Sequence, residues 1–81
     1  MEDEAIVELF FARNEEAVTQ SRKKYGRRCR AIAQRFLNSR EDAEEIESDV
    51  LLKAWKTIPP NRPKDLGYYL ALITRQLSIN R

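Results

Sequence analysis

Three prolines crowd into five positions of this chain, Pro59, Pro60 and Pro63 in "PPNRP". Each removes a backbone donor and fixes φ, and Pro63 restricts Arg62 as well. The segment "PPNRPKD" therefore cannot be helical throughout, and it is the one substantial loop the sequence calls for. Elsewhere apolar residues recur at steps of three and four. With two glycines, no Asn-Gly or Asp-Gly turn and 42% hydrophobic residues, the expectation is all-α. About four helices form a compact bundle, with the Pro-rich loop before the last. Eighty-one residues make a single small domain, 1–81, burying about 60% of its unfolded surface. Because the last helical pattern is unfinished at Arg81, the domain is expected to be the N-terminal part of a longer protein.

The first helix is short, with Ala5, Ile6, Leu9 and Phe10 as its buried stripe, and Asn14 caps the next. The second runs from about Glu15 to Leu37, with Val18, Tyr25, Cys29, Ile32, Ala33 and Phe36 at helical spacing. Gly26 inside it marks a kink or short break. Cys29 on this stripe reads as a core residue. Ser39 followed by Asp42 resembles a capping box, and acids at 41, 42, 44 and 45 suit the positive end of a helix dipole. The third helix stops at Ile58. Ile46, Val50, Ala54 and Ile58 form its core stripe, and Trp55 flanks that buried side.

Leu52 breaks the pattern. It falls on the opposite, polar side, among Glu41, Glu45, Ser48, Asp49 and Lys56. One exposed leucine is ordinary in a small protein. An apolar centre with a polar rim is also what a docking surface needs. The fourth helix, from about Asp65, repeats the anomaly. Leu66, Leu70, Ile73 and Leu77 form one stripe, and Tyr68, Leu72, Arg75 and Ile79 form another diametrically opposite. A surface helix needs only one, so the outer stripe is expected to meet a partner. Tyr69 lies between the two and reads as completing the core.

Function classes narrow from what is missing. With no histidine, one cysteine and no Gly-rich phosphate loop, the sequence argues against an enzyme, a metal site or a cofactor. It carries no secretory signal and no apolar run near the roughly 20 residues of a membrane span, so the expected compartment is the cytoplasm. The net charge of +2 hides segregation. Residues 1–16 hold six acids, residues 20–40 hold eight bases and no acid, and residues 41–49 hold six acids again. Signed faces of this kind suit macromolecular partners. Alternatively, opposite charges on neighbouring helices neutralise one another across the bundle.

The stretch "DAEEIESDVLLKAW", residues 42–55, resembles the acidic helix of bacterial RNA polymerase sigma factors, particularly the extracytoplasmic-function group. The pattern there is close to Asp-Ala-Glu-Asp-Leu-Val-Gln-Asp-Val-Phe-Leu-Lys-Ala-Trp. The clearest departures are Glu47 for the Val, Ser48 for the Gln and Leu51 for the Phe. Downstream, "LGYYLALITRQLSINR" resembles the family's Phe-Arg-Ala-Trp-Leu-Tyr-Arg-Ile-Ala-Arg-Asn-Leu-Ala-Ile-Asp-Arg without a gap. The looser helix upstream of the acidic one is matched by "NEEAVTQSRKKYGRRCRAIAQRFLNSRED". The resemblance covers nearly the whole chain and implies a sigma region 2 domain.

That resemblance implies a transcription initiation factor domain that docks on core RNA polymerase and recognises and melts the promoter −10 element. The acidic helix would pack against the coiled coil of the largest polymerase subunit through Glu45, Ser48, Asp49, Leu52 and Lys56. Asn61, Arg62 and Lys64 would form a pocket for a flipped base of the single-stranded non-template strand. Tyr68 would wedge against the last intact pair, with Leu72, Arg75, Gln76 and Ile79 along the upstream edge. An anti-sigma factor is a further partner the family admits. Leu72 stands where relatives often carry a base, and Gln76 and Asn80 stand for Asn and Asp. Leu66 and Tyr69 likewise stand for an aromatic and Trp. The thin basic coverage of residues 65–81 keeps an alternative: a sigma-like adaptor or regulator that binds polymerase or another protein without melting DNA. A general nucleic-acid binder using the basic run at 20–40 is a third reading.

Overall fold

The computed structural model describes residues 1–81. Its four helices are α1 (Asp3–Phe11), α2 (Glu16–Gln34), α3 (Arg40–Thr57) and α4 (Leu66–Ile79), with no strand. The expected all-α bundle and its Pro-rich loop are both present. α2, α3 and α4 pack mutually, and α1 lies against α2 and, more lightly, α4. The molecule measures 36 × 20 × 18 Å.

Local chemistry sets the helix ends. Acids Asp3 and Glu4 occupy the first turn of α1, where the dipole favours them. The chain then reverses at Arg13, whose φ of 54° is left-handed. Asn14 Oδ1 accepts from the Glu16 amide at 2.9 Å, so Asn14 caps α2 as expected. Ser39 Oγ accepts from the Asp42 amide at 3.2 Å. Asp42 makes no return bond and instead pairs with Arg81, leaving half a capping box. Asp65 caps α4 by accepting from the Tyr68 amide at 2.9 Å.

The core joins Ile6 and Phe10 of α1, Cys29 and Ala33 of α2, Ile46, Val50 and Ala54 of α3, Ile58, and Leu66 and Leu70 of α4. Alanines at 17, 33, 43 and 54 are fully buried, and their small side chains let the larger residues interdigitate. Cys29 is buried, and its burial pushes the thiol pKa up, against a hydrogen bond with Thr74 that lowers it.

Five details depart from the sequence reading. Ala5 of α1 is exposed and Val7 is buried in its place, because the short helix is turned by about one residue against α2. α2 ends at Gln34, three residues early, and Arg35 and Phe36 make i→i+3 bonds to Ile32 and Ala33. That tightened turn carries Phe36 off the core stripe, leaving it 43% exposed. α2 runs unbroken through Gly26. On α4, Thr74 and Ser78 are buried while Ile73 and Leu77 are half-buried. The buried line follows i, i+4 steps from Leu66 through Leu70, and Thr74 offsets its hydroxyl by donating to the Leu70 carbonyl at 2.7 Å. Finally, Glu47 is buried at 2% exposure.

Glu47 and Gly26 explain each other. A Cβ at Gly26 would collide with Glu47 Oε2, so the glycine is the hole the carboxylate enters. Arg22 and Arg30 stand one turn to either side of it on α2. Arg30 Nη1 reaches Oε1 at 2.7 Å and Arg22 Nη1 lies 3.2 Å from Oε2. Lys24 pairs with Asp3 at 2.8 Å. Lys23, Arg27, Arg28, Arg35 and Arg40 make no ion pair. Neutralisation across the bundle thus accounts for three of the eight bases between 20 and 40.

Candidate functional site

The outward side of α3 carries Glu45, Ser48, Asp49, Leu52 and Lys56, all exposed. Leu52 keeps 51% of its surface open. It is not isolated. It lines a groove between the first turns of α2 and the second half of α3, with Val18, Thr19, Leu51 and Trp55 alongside. The apolar spot therefore extends beyond the residue the sequence singled out, and Val18 and Trp55 were missed as its neighbours. Glu45 is engaged, at 3.0 Å from Arg81. Ser48, Asp49 and Lys56 make no ion pair or side-chain hydrogen bond.

Trp55 is held in place from α1's side. Arg13 stacks over its ring at 3.7 Å from the centroid. The same guanidinium donates to the carbonyls of Trp55 and Ile58 at 2.8 and 3.1 Å. A last-turn carbonyl of α3 and that of its C-cap Ile58 are thereby satisfied by a side chain from another element. At the other end of α3, Glu41 is held below the usual carboxylate range by its own backbone amide and the Ser39 hydroxyl.

The Pro-rich loop presents Asn61, Arg62 and Lys64, all exposed. Two of them are occupied within the chain. Asn61 Nδ2 donates to Tyr69 Oη at 3.0 Å, and that oxygen also bonds Thr57 Oγ1 at 2.8 Å. Tyr69 is half-buried, as the sequence suggested, and joins loop, α3 and α4. Arg62 pairs with Glu8 of α1 and lies over the Phe11 ring at 4.0 Å. Lys64 makes no such contact. Between α1 and the loop lies a cavity of about 500 Å³ lined by Asp3, Glu4, Val7, Glu8, Arg62 and Lys64 with Pro63.

Along α4, Tyr68, Leu72 and Ile79 are 60%, 48% and 54% exposed, and Arg75 and Gln76 are exposed with them. The loop residues Arg62 and Lys64 line the cavity against α1, Leu72 and Arg75 line a groove against the end of α2, and the α3 set lies on a separate helix. No cluster of His, Cys, Asp or Glu could hold a metal ion. No helix is long and apolar enough to cross a membrane.

The family model for sigma-70 region 2 matches residues 22–81, from the first basic residue of α2 to the end of α4. This chain belongs to the sigma-70 region 2 family. The matched residues take in the acidic α3, the Pro-rich loop and the whole of α4, while α1 lies outside them. No curated protein and no solved structure gives a significant match. Sequence reasoning about this sigma domain missed Arg13 and Glu47. For Glu47 a signal existed: Arg22, Gly26 and Arg30 are spaced four apart, an opening between two cations on one face of α2. Nothing local marks Arg13, because its partners lie more than forty positions away.

Proposed function

We propose that this domain serves transcription initiation, binding core RNA polymerase through the outer side of α3 and taking the single-stranded non-template −10 element with the Pro-rich loop and α4. The observation that carries the reading is Leu52, half exposed in a groove with Val18, Leu51 and Trp55 and bordered by Ser48, Glu15 and Arg22. An open apolar centre with a charged rim is how hot spots are built. The matched family supports the partner, and the partner's largest-subunit coiled coil supplies the surface for α3. The motif "DAEEIESDVLLKAW" supports the extracytoplasmic-function type, and with it a bacterial cytoplasmic setting where polymerase is met.

On this reading Glu45, Ser48, Asp49, Leu52 and Lys56 form the docking set. Asn61, Arg62 and Lys64 receive an unpaired base, and Tyr68 closes the duplex end. Leu72, Arg75, Gln76 and Ile79 border the upstream edge. Phosphates need cations and bases need planar partners, and the loop and α4 supply both. A second reading, a sigma-like adaptor that binds without melting, is favoured by the contacts of Arg62. Its guanidinium is already engaged by Glu8 and Phe11, and α4 itself carries Arg75 as its one base.

The test combines the domain with core polymerase and a fork-junction promoter fragment and looks for a ternary complex. Leu52→Ala with Asp49→Ala should cut polymerase affinity by roughly tenfold or more. Because Leu52 is half exposed, the same change should move unfolding free energy by only about 0.5 kcal/mol. Tyr68→Ala with Arg62→Ala should spare polymerase binding and lose the DNA. Unchanged polymerase affinity in the first variant rejects the docking assignment; unchanged DNA capture in the second favours the adaptor.

A further inference from the structure

The groove beside Leu52 ends at a buried carboxylate. Val18 and Arg22 of α2 line it opposite Ser48, Leu51, Leu52 and Trp55 of α3. One turn past Arg22 on α2 stands Gly26, and one turn before Leu51 on α3 stands Glu47. A Cβ at Gly26 would meet Glu47 Oε2 and, at 3.4 Å, Arg22 Cγ. The missing side chain thus lets the arginine stem and the acid share one opening. The two arginines on Glu47 are not equivalent. Arg30 donates to Oε1 at 2.7 Å. Oε2 accepts no hydrogen bond though it is buried, and its one cation is Arg22 at 3.2 Å, whose side chain is 47% exposed. Two cations on one acid leave a surplus positive charge, and it falls on Arg22. Arg22 makes no other ion pair. Glu15, at the far end of the same groove, lies about 10 Å back along the helix and does not neutralise it.

We propose that Arg22 is a docking residue, taking a carboxylate that the polymerase presents beside the apolar side chain it seats against Leu52, and that Glu47 is its positioning residue. This role rests on the proposed docking of α3. It adds α2 to that surface and gives the partner's chemistry there: an apolar group with an acid next to it. A guanidinium carries its donors in a rigid fork. One nitrogen of Arg22 is turned to Glu47, which leaves donors for a second acid, and a carboxylate can accept from two of them at once. Glu47 restricts the swing of a long side chain before the partner arrives, so less freedom is lost on binding. The motif does not carry this arrangement: Glu47 stands where its pattern has Val, which holds no cation.

The experiment measures binding of the full 81-residue chain, labelled with fluorescein at its N-terminus, to core RNA polymerase by anisotropy. Salt is set at about 0.3 M, where long-range attraction is largely screened. Arg22→Gln, Glu47→Val, their double variant, Arg27→Gln and Leu52→Ala are compared with the parent, with thermal melts as the folding control. Arg22→Gln should weaken binding by roughly fivefold or more. Arg27→Gln removes the same charge from the exposed, unpaired face of α2 and should match the parent. An equal loss there makes the effect one of net charge and overturns the proposal. Glu47→Val leaves Arg22 its charge and should still weaken binding by roughly threefold, the cost of ordering one long side chain. Should Glu47→Val melt below the assay temperature, Glu47→Gln, which keeps the shape and removes the charge, takes its place. The double variant should bind no more weakly than Arg22→Gln alone, because the tether acts only through the arginine. If the two losses multiply, or the Glu47 variant binds as tightly as the parent, the positioning role is rejected. If Leu52→Ala weakens binding while Arg22→Gln matches the parent, Arg22 is rejected and the α3 docking stands. If neither responds, or the parent does not bind, the docking reading fails and this role with it.

Discussion

Arg13 closes the end of the helix that carries Trp55: it lies over the indole at 3.7 Å and donates to the Trp55 carbonyl at 2.8 Å. Arg13→Ala removes the ring contact and leaves two carbonyls to water, and it keeps an unfavourable φ of 54°. The expected loss is about 2 kcal/mol of stability, read from urea unfolding followed by Trp55 fluorescence. Arg13→Gly loses the same contacts but relieves the backbone, so it should cost about 0.5–1 kcal/mol less. Equal losses would mean that the left-handed backbone at Arg13 carries no strain.

Glu47 predicts an asymmetry. Its carboxylate is buried, whereas the side chains of Arg22 and Arg30 are 47% and 37% exposed. Replacing the acid by Val sends both arginines to water and leaves an apolar side chain in an apolar place. Glu47→Val should therefore change stability by no more than about 1 kcal/mol. Arg22→Ala with Arg30→Ala strands the buried charge and should cost about 3 kcal/mol or more. Gly26→Ala drives a methyl into the carboxylate and should destabilise in the parent but be tolerated once Glu47→Val is present. Denaturant melts of the four variants decide it.

Arg62 is held by Glu8 and the Phe11 ring. On the proposed reading this contact competes with the strand. Glu8→Gln should strengthen binding of a −10 single strand by roughly twofold to fivefold, the scale of one exposed ion pair. An unchanged or weaker affinity, measured by anisotropy at low salt, would mean that Glu8 orients Arg62 for the strand instead of withholding it.

The N-terminal end of α1 should loosen at both pH extremes. Tyr25 donates to both Asp3 oxygens at 2.7 and 2.9 Å, and Lys24 adds a third bond to that carboxylate. Burial works against ionising Asp3, but these bonds outweigh it and its pKa falls below 3.8. Its contribution is present above about pH 4 and is lost as pH falls through the lowered value. Burial first, and then the Asp3 bond, raise the Tyr25 phenol from 10.0 to about 12. That contribution is complete below pH 10 and is lost as pH rises to about 12. Hydrogen exchange of the α1 amides across pH should show both limbs. Asp3→Asn should remove the acid limb and Tyr25→Phe the alkaline one.

The helices and the loop were legible because they rest on local rules: period, capping and proline geometry. The open position of Leu52 and the double stripe of α4 followed from the same period. The misses have two origins, local departures from a constant helical step and contacts between distant segments. Phe36 left the core because the last turn of α2 tightens by i→i+3 bonds, which a constant 100° step does not represent. Thr74 and Ser78 were passed over because both are polar, although Thr74 satisfies its hydroxyl on the Leu70 carbonyl of its own helix and Ser78 is buried with its hydroxyl unpaired. Glu47 looked like one more acid in an acidic helix until Gly26 was seen opposite. The occupation of Arg62 by α1 depends on a pairing across 54 positions.

α3 and α4 are fastened to each other at both extremities. Thr57 meets Tyr69 at one, and Arg81 reaches Asp42 and Glu45 at the other. Two rods pinned twice cannot pivot independently, so they behave as a bracket of constant angle. On the proposed reading, whatever seats on Leu52 therefore also aims Tyr68, Leu72 and Ile79, and a partner gripping one rod dictates where the other points without any refolding between them.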